Sequence, residues 1–218
     1  MNNLLKFRQS ENQKVYFWGC THVYHDPKWP IPIWKKRGYS SPEEHSESIR
    51  DKINYNLNPS DILVHLGDGF LNSSPEKVES YLQTLTPHIY YFWGNHESST
   101  LRLYQKYKSE LYPNLSGVDI YPLTYRNITF LGYYKELCVD GKIIVCQHFP
   151  LKIWNNSKQG VIHIHSHNHG GLPSSLPNAN DGKILDVGVE VFPNGPTSFD
   201  EILKIMDKKD IKSFDSHH

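Results

Sequence analysis

Apolar and polar positions alternate in blocks along this chain. Short apolar, aromatic and β-branched runs at 15–20 (VYFWGC), 61–68 (DILVHLGD) and 88–98 (HIYYFWGNHES) each end abruptly in polar residues. Runs this short and this apolar predict buried strands. The stretch 40–57 opens with Ser-Pro-Glu-Glu, a helix-start signal, and continues with amphipathic spacing. Pro75 to about Thr84 and residues 99–108 also predict helices. From Ile120 onward the pattern turns to strands: ITFLGYY, KELCVD followed by IIVCQHF, VIHIHSH and ILDVGV. The Asp140–Gly141 pair between two apolar runs signals a hairpin. Phe199 to Met206 predicts a terminal helix. Residues 24–40 carry prolines and tryptophans without a period, and so predict a long loop of the kind that is often functional.

Strand–helix alternation followed mostly by strands predicts an α/β fold with a mixed, layered sheet. No internal repeat or low-complexity linker interrupts the pattern, so residues 1–218 are expected to form a single domain with a sizeable core. Formal charge is balanced, with Lys+Arg 23 against Asp+Glu 23, so no basic field invites long nucleic acid, although a nucleotide-sized substrate remains compatible. Three cysteines, Cys20, Cys138 and Cys146, do not suggest a disulfide framework. No apolar run suits a signal peptide or a membrane span, which makes a cytoplasmic location the expectation and a membrane partner unexpected. The terminal His217–His218 reads either as a natural end or as the beginning of a purification tag, and is set aside.

The chemistry lies at the strand ends. Five apolar runs terminate in metal-competent groups: Cys20-x-His22, Gly67–Asp68, Gly94–Asn95–His96–Glu97, Gln147–His148 and His165–Ser166–His167–Asn168–His169. Singly, each has a plain explanation: an Asp after a strand is usually a turn former, and an isolated histidine is usually a packed or surface group. Together they occupy the position where α/β sheets bind ligands, off the carboxyl ends of strands. Four histidines at 163, 165, 167 and 169 would share one face if the strand ran through all of them. Imidazoles mixed with carboxylates suit Zn, Fe, Mn or Ni rather than Mg or Ca. Two such ions roughly 3.5–4 Å apart clamp both sides of a displacement at phosphorus, and a water they share becomes hydroxide near neutral pH and attacks. Such a pair needs a bridging carboxylate, for which Asp68 is the strongest candidate. A histidine outside the metal shell can protonate the leaving oxygen.

This series of motifs resembles the calcineurin-like metallophosphoesterases, whose motifs run Asp-x-His, Gly-Asp, Gly-Asn-His-Asp/Glu, His and Gly-His-x-His. The resemblance runs from about Val15 to His169. A further His25, an Arg-containing loop and an EEH-type helix make it similar to the small bacterial and phage branch of that family. The resemblance implies a two-sheet αββα sandwich with a dinuclear site at the edge the sheets share. It implies His22 and His169 on the first metal, Asp68 as the bridge, and Asn95, His148 and His167 on the second. It implies His96 as the catalytic acid facing the leaving group, with two divalent transition metal ions as cofactors. His165, ahead of the ligand pair, would be a packing or supporting residue, and His163 ordinary structure.

Two departures stand out. Ser166 replaces the family's glycine, which is tolerable if the backbone there needs no positive φ. Cys20 replaces the family's first Asp, and reads either as a soft thiolate ligand favouring Zn or Fe or as a buried residue leaving that site one ligand short. In the 24–40 loop, Trp29, Trp34, Lys35, Lys36 and Arg37 could overhang the site and bind a base or a phosphate, or the tryptophans could pin the loop. His25 and Arg37 are the substrate-binding candidates. The expected function is hydrolysis of a phosphate ester, foremost a phosphodiester of a small, nucleotide-like compound. A phosphomonoesterase, or a binding scaffold with weak catalysis, are the alternatives.

Overall fold

A computed structural model of the chain describes residues 4–25, 31–115, 117–180 and 182–212. Two mixed sheets stack face to face. The six-stranded sheet comprises β2 (Val15–Trp18), β3 (Ile62–His65), β4 (His88–Phe92), β5 (Leu123–Tyr125), β6 (Ile128–Gly132) and β11 (Thr197–Ser198), in spatial order β11-β2-β3-β4-β6-β5. The five-stranded sheet holds β1 (Leu5–Phe7), β7 (Tyr134–Val139), β8 (Lys142–Gln147), β9 (Ile162–His165) and β10 (Ile184–Asp186), in order β1-β7-β8-β9-β10.

β2, β3 and β4 are parallel and in register, with Trp18 beside His65 and His65 beside Tyr91. Their carboxyl ends therefore emerge along one edge. β8, β9 and β10 are likewise parallel, so His148 and the turn after His165 leave the second sheet together. The hairpin at Asp140–Gly141 is a two-residue turn with φ of 49° and 82°, the mirror-type turn whose twist matches paired strands.

Helices α2 (Pro42–Asn56), α3 (Pro75–Gln83) and α4 (Ser98–Leu111) cover the outer face of the six-stranded sheet. The start signals act as expected: Ser41 accepts from the backbone N–H of Glu44 and Ser74 from that of Lys77, each followed by proline in the first turn. α2 buries His45, Ile49 and Ile53, one stripe at four-residue spacing, and stops at Leu57 before Pro59. Between the sheets lies a second core, with Val15, Phe17, Val64, Leu66 and Phe92 facing Leu137, Ile144, Cys146, Ile164 and Leu185. Helix α5 (Phe199–Asp207) closes its margin with Phe199, Ile202 and Met206. Each such side chain, removed from water, contributes about 1.5–3 kcal/mol. Beyond the five-stranded sheet, Val145, Trp154 and Ile184 make a small third cluster under the loop after β8.

The described parts of the 24–40 loop include one short helix, α1 (Ile33–Lys36), entered through Pro32. The four-histidine face expected of 163–169 is broken. β9 ends at His165, and His169 takes a left-handed φ of 49°, so only His163 and His165 share the strand face. Gly170 and Gly171 allow the chain to turn at once, and His167 and His169 swing toward the other sheet.

Candidate metal centre

The edge where both sheets end is built from tight turns. Gly67 has φ 85° and Asp68 φ 53°, while Cys20 and His22 have φ of 52° and 49°. Left-handed backbone at a non-glycine residue costs roughly 1–2 kcal/mol, and here four candidate ligands, His169 included, adopt it. The strain is sustained by hydrogen bonding: Cys20 N–H donates to Gly67 O (2.9 Å) and His22 N–H to Asp68 O (3.0 Å). Gly94 must be glycine, because an added Cβ would overlap the Asp68 carboxylate. Ser166, at the family's glycine position, needs no positive φ; its hydroxyl donates to Leu66 O at 2.7 Å and fills the space over Gly19.

Asp68 is buried, and its Oδ1 accepts the backbone N–H of His96 at 2.8 Å. Burial alone would raise this carboxyl, but the hydrogen bond and charge of His148, with His22 beyond, hold it well below the usual carboxylate range. Behind it, Glu97 ties two turns together, accepting from the Asp68 N–H (2.6 Å), the Gly94 N–H (2.9 Å) and the Tyr91 hydroxyl (2.9 Å). Burial, then the nearby Asp68 charge, pushes Glu97 up to about 7.

His148 shows what this edge can hold. Its Nδ1 lies 2.7 Å from Leu66 O and must donate to it, which leaves a lone pair on Nε2 in the neutral ring. That Nε2 faces Asn95 Oδ1 at 2.9 Å, His167 Nδ1 at 3.1 Å and Asp68 Oδ2 at 3.4 Å. Acceptors thus converge with too few protons to separate them. Burial lowers His148, yet Asp68 more than offsets this and raises it, the mark of a position that wants positive charge. A divalent cation satisfies all of these donors at once, and the N/O set fits a first-row transition ion.

A second group abuts the first. The donor atoms of Cys20, His22 and His169 lie within 4.8 Å of one another, as do those of Cys20, Asp68 and His148, so the thiol belongs to both sets. Cys20 Sγ rests 3.1 Å from Ser166 O. Burial, then the Asp68 charge, drives the thiol well above its ordinary range, so without a cation it stays protonated. His22 Nε2 sits 3.3 Å from His169 Nε2 with the rings stacked. Burial drives His22 well below its ordinary value, only partly opposed by Asp68, so its ring is neutral and able to ligate.

Two residues escaped the sequence reading. Glu190 Oε1 accepts from His169 Nδ1 at 3.0 Å, which aims His169 Nε2 at His22. Asp186, fully buried, accepts from Gly170 N–H (3.0 Å) and Gly188 N–H (2.8 Å) and fixes the turn carrying His169. Burial pushes Asp186 up to about 6. The run LDVGVE carries both, but its apolar spacing signals only a strand.

Arg37, expected to meet substrate, has its guanidinium donors engaged within the protein. They reach Glu190 (2.9 and 2.7 Å), Thr21 O (3.0 Å), Cys20 O (2.7 Å) and His45 Nε2 (3.0 Å), and the side chain is only 9 % exposed. It clamps the Cys20–His22 turn to Glu190. His25 is buried, accepts the Ile33 N–H through Nδ1 at 3.1 Å, and lines a cleft with His22, His96, His169, Ile31, Ile33, Lys36 and Leu71. His96 lies beside His22, ring centroids 6.2 Å apart. Trp34 and Lys35 do not line that cleft, and Trp29 lies outside the described residues. His163 is structural, its Nδ1 donating to Val145 O and its Nε2 accepting from Leu151 N–H. His165 is buried, and burial pushes it down to about 2.

Residues 13–207 match the Metallophos family, described as calcineurin-like phosphoesterase. The chain is similar to the uncharacterized protein MJ1445 of Methanocaldococcus jannaschii, 26 % identical over 198 residues that span 90 % of this chain and 93 % of that one. It is also similar in fold to a protein of unknown function, AQ665 from Aquifex aeolicus, known from a crystal structure. There the TM-score is 0.58 at 21 % identity, covering 89 % of this chain and 100 % of the other.

Proposed function

The chain belongs to the calcineurin-like phosphoesterase family, and from that premise we propose that it hydrolyses a small phosphodiester with two divalent transition metal ions. The observation that carries the reading is the convergence of lone pairs around His148 Nε2, adjoining the Cys20–His22–His169 group. Cys20, His22 and His169 would hold the first ion, Asn95, His148 and His167 the second, and Asp68 would bridge. Bound there, the ions supply Lewis-acid charge to the phosphoryl oxygens and acidify the attacking water.

The protein's own residues do the rest. Asp68 holds the backbone of His96, whose side chain lines the cleft and protonates the departing oxygen. Lys36 brings positive charge to the same cleft, and Ile31, Ile33 and Leu71 give it apolar walls. Apolar walls with a single lysine suit a monoanionic diester with an organic leaving arm better than a dianionic monoester. The balanced charge of the chain argues against long nucleic acid as substrate.

Protein loaded with Mn, Zn or Fe should hydrolyse aryl phosphodiesters faster than aryl phosphomonoesters, and His96→Ala should lower turnover by about 10²–10⁴-fold. Hydrolysis of neither ester class, with His96→Ala matching the wild type, would overturn the reading. Faster monoester turnover would instead make the protein a phosphatase.

A further inference from the structure

Among the described residues, Phe149 is the one exposed phenylalanine, 39 % accessible, and it borders the candidate metal centre. Its ring lies 4.4 Å from that of His167, tilted by 50°, and 5.1 Å edge-on to that of His148. Unlike tyrosine, phenylalanine has no hydroxyl for water to solvate, so this open ring beside two candidate ligands offers an arriving substrate an apolar face to stack on. Pro150 follows it, which restricts its backbone to extended conformations and limits the ring's freedom.

The site therefore has two apolar flanks. The cleft of Ile31, Ile33 and Leu71 adjoins His22, His169 and His96, beside the first candidate group. Phe149 adjoins His148 and His167, beside the second. His96, the proton donor, lies with the first flank, so the leaving arm belongs there. The arm that remains on phosphorus then points toward Phe149. We propose that Phe149 is a specificity-determining platform that stacks the retained arm, so the site selects diesters whose retained arm is a planar ring, such as a nucleobase or an aryl group. The proposal rests on the phosphodiesterase reading and names the substrate class within it.

The test keeps the leaving group constant and varies the retained arm, comparing phenyl p-nitrophenyl phosphate with methyl p-nitrophenyl phosphate. Wild-type protein should favour the phenyl compound on the order of tenfold in KM, as expected for one ring stacked on another. Phe149→Ala should abolish that preference, the phenyl compound losing about tenfold more than the methyl compound, and Phe149→Tyr should restore it. Loss on both substrates alike would mean that Phe149 merely packs against His167, and no preference in the wild type, or one that survives Phe149→Ala, would equally overturn the proposal. If the wild type turns over neither diester, the phosphodiesterase reading fails by itself. Calorimetry on zinc-loaded protein then still decides the platform. Diphenyl phosphate should bind the wild type on the order of tenfold more tightly than it binds Phe149→Ala, and equal binding of it to the two proteins would overturn the proposal.

Discussion

Cys20 stands where the family pattern has aspartate, and its surroundings give the thiol a defined behaviour. Burial and the Asp68 charge keep it protonated in the absence of a cation, so binding of an ion by sulfur must expel that proton. Zinc titrations in buffers of different ionisation enthalpy should show one proton fewer released by Cys20→Ala than by the wild type; an equal count with unchanged affinity would remove sulfur from the ligand set. Glu190 acts one step away, orienting His169 and anchoring Arg37. Glu190→Gln should weaken metal binding about 10–100-fold without loss of fold, readable by competition with a chelator. Burial would raise the Glu190 carboxyl, but the hydrogen bond to His169 and the charge of Arg37 hold it down at about 2, below its ordinary 4.5. A depressed carboxyl stabilises the fold fully above its ordinary value and loses that contribution as pH falls toward the depressed one. Wild-type protein should therefore lose stability between about pH 4.5 and pH 2 more steeply than Glu190→Gln, as followed by thermal unfolding. The candidate ligand residues stood out in the sequence because each sits at the end of an apolar run. Glu190 did not, since nothing in a lone glutamate after a strand says that a histidine 21 positions earlier will fold back onto it.

At the scale of elements, two glycines show how unevenly turns matter. Gly141, in the hairpin of β7 and β8, has φ 82° and open space where a side chain would go. Gly141→Ala should cost about 1 kcal/mol of stability through backbone strain and leave metal content untouched. Gly94 stands against the Asp68 carboxylate, so Gly94→Ala should displace that carboxylate and lower the bound metal per chain. Unfolding curves and elemental analysis of the two variants should dissociate in this way. The helices were readable because proline and serine announce α2 and α3 and four-residue spacing sustains them. Strands β1, β5 and β11 were not, being two or three residues long and set outside any sustained apolar run. The histidine comb misled because strand alternation holds only while the strand continues, and β9 stops at His165.

For the whole molecule, the candidate ligands come from both sheets: Cys20, His22, Asp68 and Asn95 follow strands of one, and His148, His167 and His169 follow strands of the other. Ions held there would clip the sandwich along its edge, adding to the inter-sheet core rather than replacing it. An ion present at a hundredfold over its dissociation constant stabilises the folded state by about 2.7 kcal/mol. For a domain of this size, chelation should therefore lower the unfolding temperature by about 5–10 °C, reversibly on adding zinc back. A melting temperature indifferent to chelation would mean that no ion bridges the sheets.

The sequence by itself determined the α/β class with a mixed, layered sheet, the order of the strands that carry the candidate ligands, and the group chemistry at their ends. Those are properties of local pattern: apolar runs dictate buried strands, and polar residues can only follow where the runs stop. The tertiary structure alone decided that Arg37 is committed to Glu190, Thr21, Cys20 and His45, and that Glu190 and Asp186 support the turn of His169. It also decided that Cys20 falls within reach of both donor groups and that Phe149 lies open beside the centre. The contacts of Arg37 with Glu190, of Cys20 with Ser166 and of His148 with Leu66 depend on the second sheet folding across the first, between segments some 80 to 150 residues apart that no local pattern encodes.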